Sequence, residues 1–79
     1  MKYDYSKLEG IITEVFGTQG IFADAIGLSE EIVSKKLNNK AKWKQEQIDK
    51  ACEVLGIDRK LIGVYFFTPL VQQVEHLET

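Results

Sequence analysis

The chain has 79 residues and a formal net charge of −2 at neutral pH. That length suits one domain with a thin core, and 44% hydrophobic against 28% charged residues excludes a disordered chain. No apolar run approaches the roughly 20 residues of a membrane helix, and one cysteine excludes an internal disulfide.

Met1-Lys2-Tyr3-Asp4 lacks the apolar region of an export signal, so the cytoplasm is the expected location. Ser6 and Glu9 have the spacing of a capping box, with Asp4 as a rival cap. Leu8, Ile11, Ile12, Val15 and Phe16 then follow the helical period and predict a buried stripe on a first helix, ended by Gly17. Thr18 caps a second helix, about Gln19 to Ile26, with Phe22, Ala23 and Ile26 inward. Gly20 in its first turn costs stability relative to alanine, up to ~1 kcal/mol.

Gly27 supplies the turn, because it adopts φ > 0 without steric cost. Ser29 caps a third helix, about Glu30 to Asn38, in which Val33 and Leu37 form one apolar edge. Asn39 is a left-handed terminator, the choice after glycine. The order helix, tight turn, capped helix is the helix-turn-helix design, whose second helix can enter a DNA major groove.

Lys40 to Lys44 reads as a loop. A fourth helix covers about Gln45 to Leu55, with Ile48, Ala51, Cys52 and Leu55 on one face and Gly56 as its stop. Cys52 is therefore expected as a buried thiol rather than a reactive one. Asp58 caps a short fifth helix, Arg59 to about Tyr65, and Pro69 disfavours helix just before it. The expected fold is all-α: a compact bundle of about five helices in residues 1–68, with an extended tail at 69–79.

Gln19 to Asn38 resembles the helix-turn-helix core of the phage repressor and Cro-like domains. Asp4-Tyr5-Ser6-Lys7-Leu8, Phe16-Gly17-Thr18-Gln19, Leu37-Asn38-Asn39-Lys40 and Tyr65-Phe66-Phe67 are similar to small regulators of temperate phages of Gram-positive bacteria. Such proteins are encoded beside the lytic–lysogenic switch. The resemblance covers residues 4 to about 67. It implies one of two actions: binding operator DNA, or binding the phage repressor and altering what it does.

The main expectation is a sequence-specific DNA-binding regulator that reads double-stranded operator DNA through helix three. Gln19, first in helix two, is placed to meet a phosphate, as in such domains. Glu30, Glu31, Ile32, Ser34 and Lys35 are placed toward base edges: Lys35 for guanine, Ser34 for several bases, Ile32 for a thymine methyl. Lys36, Lys40, Lys42 and Lys44 are placed to meet the sugar-phosphate backbone, and Asn38 is a further DNA-binding candidate. Residues 34 to 44 hold five lysines and no acid, which supports a polyanion. Against it stand the net charge and the paired acids Glu30 and Glu31 at the leading end of helix three. They suit a basic protein surface better, so a modulator that binds the repressor is the alternative. Trp43 is expected as an anchor beneath the loop or as an interface residue.

Operators with two half-sites call for a two-fold pair, so a homodimer is expected through Tyr65, Phe66, Phe67, Leu70, Val71 and Val74. No enzyme, cofactor, metal or membrane is expected. The chain has no Ser/His/Asp or Cys/His set, no phosphate-cradling glycine loop and a lone His76.

Overall fold

A computed structural model describes residues 2–70. They form five α-helices: α1 (Ser6–Phe16), α2 (Gln19–Ile26), α3 (Glu30–Leu37), α4 (Gln45–Leu55) and α5 (Ile62–Phe66), the last preceded by a 3-10 turn, Arg59–Leu61. No strand occurs among the described residues, and the all-α expectation holds. No helix among them is long and apolar enough to cross a membrane.

Local chemistry sets most boundaries. The Thr18 hydroxyl accepts from the Ile21 N–H at 3.2 Å, and the Ser29 hydroxyl accepts from the Ile32 N–H at 3.2 Å. Gly27 ends α2 at φ 78°, and the Leu28 N–H closes the turn on the Ala23 carbonyl at 2.9 Å. Asn39 sits at φ 62°, as expected for a terminator. The start of α1 differs from the capping-box reading. Ser6 is already the first helical residue, and the Asp4 carboxylate accepts its N–H at 2.9 Å. That bond is the main reason the Asp4 carboxyl titrates below its ordinary value.

The core joins Leu8 and Ile12 of α1, Phe22 and Ala23 of α2, Val33 and Leu37 of α3, Ile48, Ala51, Cys52 and Leu55 of α4, and Phe66 of α5. Ala23 and Val33 are fully buried, so α2 and α3 pack closely through small side chains. Burial raises the Cys52 thiol above its ordinary pKa, as fits an inert core thiol. Val15, expected in the α1 stripe, is instead 48% exposed.

The segment before α1 runs antiparallel to the segment after α5. Tyr3 faces Pro69, flanked by bonds from the Asp4 N–H to the Thr68 carbonyl at 2.7 Å and from the Leu70 N–H to the Lys2 carbonyl at 3.1 Å. On its other side Tyr3 is held by Asn39. This clasp ties both ends of the described chain to the α3–α4 loop.

Candidate protein-interaction site

The two ends of α3 carry different chemistry. At its start Glu30 and Glu31 are exposed, and carboxylates there suit the positive end of the helix dipole. Glu31 reaches Lys35 at 3.9 Å, but both side chains are more than half exposed, so the pair holds little of either charge. The Glu30 carboxylate lies against the first turn of α2. A methyl at Gly20 would stand 3.2 Å from Glu30 Oε1. The glycine thus leaves room for this carboxylate, a use that its helix-weakening character hides in the sequence. Ile32, next to these acids in sequence, is 42% exposed, and Ile21, next to Gly20, is 54% exposed.

The far end of α3 is basic, but less uniformly than its lysines suggest. Lys40, Lys42 and Lys44 are exposed. Lys36 is not: it is 5% exposed, and its ammonium donates to the Lys42 carbonyl at 2.6 Å. The same ammonium stands 5.9 Å from the centroid of the Trp43 ring. Burial, and then the nearby Lys44 charge, lower the Lys36 pKa. Lys36 is therefore a strut under the loop and not a free contact for a phosphate backbone. Asn38 is exposed, but its amide is engaged along the chain, donating to the Ser34 carbonyl at 2.8 Å. Ser34 and Gln19 are half-buried, while Ile32 and Lys35 are open to solvent.

Trp43 packs edge-to-face on Phe66, with ring centroids 5.3 Å apart at 84°. Its indole N–H is buried without a hydrogen-bond partner among the described residues. Beside it opens a groove of about 440 Å³ lined by Tyr3, Tyr5, Trp43, Phe66 and Phe67 together with residues 39–42. The sequence reading missed this grouping. Its signal was the alternation of Tyr3 and Tyr5, which puts two rings on one face of an extended segment. Their centroids lie 6.3 Å apart.

The expected dimer residues separate. Phe66 is 1% exposed and belongs to the core, so it offers almost no surface to a second copy. A helix as short as α5 puts successive residues on different sides, and Phe66 takes the inward one. Tyr65 is half-buried, Phe67 and Leu70 are about half exposed, and Val71 and Val74 lie outside the described residues.

Residues 1–69 match a family described as "Protein of unknown function (DUF739)". The chain belongs to this family. Among solved structures it is similar to the solution structure of the modulator of repression (MOR) of the temperate bacteriophage TP901-1 from Lactococcus lactis. The identity is 53%, the alignment covers 91% of this chain and 97% of that one, and the TM-score is 0.75. No curated protein matches. This likeness corrects the main expectation from sequence. At that identity and coverage the relevant counterpart is a modulator of repression, not an operator-reading regulator, and the reading of α3 as a DNA-recognition helix gives way.

Proposed function

We propose that this chain is a binding module, not an enzyme, that modulates a phage repressor by direct contact in the host cytoplasm. The likeness to the modulator of repression, sustained over nearly the full length of both chains, carries this reading. The chemistry of α3 supports it. A repressor must present cationic surface to its operator, and the exposed Glu30 and Glu31 complement such a surface while opposing a phosphate backbone. The pair α2–turn–α3 then serves as a rigid scaffold for a protein contact. The homodimer inferred from two-fold operators loses its motive, since no operator need be spanned.

The test is a gel shift on the DNA between the divergent promoters of the switch, run with this chain alone, with the neighbouring repressor alone, and with both. This chain alone is expected to leave the DNA unshifted. Adding it is expected to change the repressor's shift, and Glu30→Lys/Glu31→Lys to remove that change. A salt-sensitive, sequence-selective shift by this chain alone overturns the reading.

A further inference from the structure

We propose that the aromatic groove at the base of the α3–α4 loop is a second binding site, for a short acidic peptide segment that carries one apolar anchor residue. The groove lies past the C-terminal end of α3, whereas Glu30 and Glu31 stand at its start, one eight-residue helix away. It is therefore separate from the surface assigned to the repressor.

Three observations define the occupant. The first is charge. Lys40 and Lys42 line the groove and are exposed, and residues 34–44 contain no acid to neutralise them. A carboxylate on either side of an anchor residue meets a cation there. The second is an unused hydroxyl. Tyr5 is 7% exposed and lines the groove, yet its hydroxyl makes no hydrogen bond among the described residues. The buried polar atom without a partner among the described residues is the Trp43 indole N–H, so the Tyr5 hydroxyl is not sealed from solvent and is free to donate to an incoming carboxylate or carbonyl oxygen. The third is the orientation of the rings. Tyr3 meets Phe67 edge-to-face at 5.6 Å and 86°, Trp43 meets Phe66 likewise, and the Lys36 ammonium stands at the Trp43 ring. Rings engaged in this way give a walled slot for one inserted side chain. They do not give the stacking platform on which successive bases of a single strand would lie. Together the slot and its rim fit an acidic peptide and disfavour nucleic acid.

Trp43 is the sole tryptophan and lines the groove, so its emission reports occupancy directly. The full chain is titrated with three probes: the capped peptide Glu-Glu-Phe-Glu-Glu, its counterpart Lys-Lys-Phe-Lys-Lys, and a short oligo-deoxythymidine. The acidic peptide is expected to give a saturable change with Kd of about 1 mM or tighter, and the basic one to bind at least roughly tenfold more weakly. Lys40→Glu/Lys42→Glu is expected to reverse that preference. Both lysines are exposed, and circular dichroism confirms that the variant is folded. Phe67→Ala, at a half-exposed wall position, is expected to weaken the acidic peptide without reversing the preference. Absence of saturation, equal binding of the two peptides, an unchanged preference in the double variant, or tighter binding of the oligonucleotide each overturns the proposal. Neither repressor nor operator is present in these titrations, so their outcome is independent of the repressor reading.

Discussion

Asn39 holds Tyr3 as a neighbouring strand would: its amide donates to the Tyr3 carbonyl at 2.9 Å while its oxygen accepts the Tyr3 N–H at 2.8 Å. One side chain thus satisfies both backbone groups of a residue 36 positions away. Asn39 does this from a left-handed backbone, φ 62°, which asparagine tolerates better than most residues. Asn39→Ala is expected to cost ~1–3 kcal/mol, from two lost bonds and added strain. Asn39→Gly relieves the strain alone and is expected to recover only part of the loss. Urea unfolding of the three proteins checks the order.

Gly27 at φ 78° has open space where a Cβ would stand, so only its backbone forbids a side chain. Gly27→Val is expected to destabilise the domain by more than ~1 kcal/mol. Denaturant midpoints measure it, and a loss near zero places the turn's control elsewhere.

Gly20 presents the opposite case, with an ordinary helical backbone and a crowded Cβ site. The crowding atom is the far end of the flexible Glu30 side chain, which can swing aside. Gly20→Ala is therefore expected to stabilise α2 by up to ~1 kcal/mol while displacing the Glu30 carboxylate. Thermal unfolding reads the first effect. A weakened action on the repressor in the gel assay reads the second.

Phe66→Ala is expected to cost ~3–5 kcal/mol, enough to leave a domain of this size largely unfolded. Phe67→Ala, one residue on but 47% exposed, is expected to cost less than ~1.5 kcal/mol. Similar losses for the two variants in chemical denaturation refute the assigned burial.

Lys36 has a pH signature with a defined sign. Its folded pKa lies below the ordinary 10.5, so between that lowered value and 10.5 the unfolded chain binds more protons. Stability from this group therefore rises with pH across that window. Tyr5 acts oppositely: burial, and then Tyr3, raise its folded pKa above 10.0, and stability falls as pH passes 10.0. Lys36→Met keeps the stem under Trp43 and removes only the rising component. The difference between the two stability–pH curves isolates it, because Tyr5 is common to both.

Much of the fold was legible because its punctuation is local. Thr18, Gly27, Ser29 and Gly56 act within one turn of themselves, through a capping hydroxyl or a positive φ, and the left-handed backbone of Asn39 ends α3 just as locally. The candidate site was less legible for two reasons. Lys36 looks like any surface lysine until the loop folds over it, since burial of a charge depends on residues six and seven positions on. Tyr3 and Phe67 meet across 64 positions, and nothing in either local sequence announces the other. The acids Glu30 and Glu31 were visible in the sequence, where they spoke for the repressor-binding alternative that the likeness to the modulator of repression favours. Five nearby lysines outweighed them in the main expectation, although one of the five is spent on its own loop.

The clasp between the two ends of the described chain has a consequence for self-association. A paired extended segment exposes a row of backbone groups that can template addition of further chains. Here one flank, at Tyr3, is occupied by the Asn39 amide. The other flank, at Pro69, offers a carbonyl but no N–H, because proline has none. Phe67 and Leu70, both about half exposed, bracket that position and would otherwise make it sticky. One asparagine and one proline thus blunt both flanks at these positions, so apolar surface used for recognition sits beside a backbone that resists growing into a fibril.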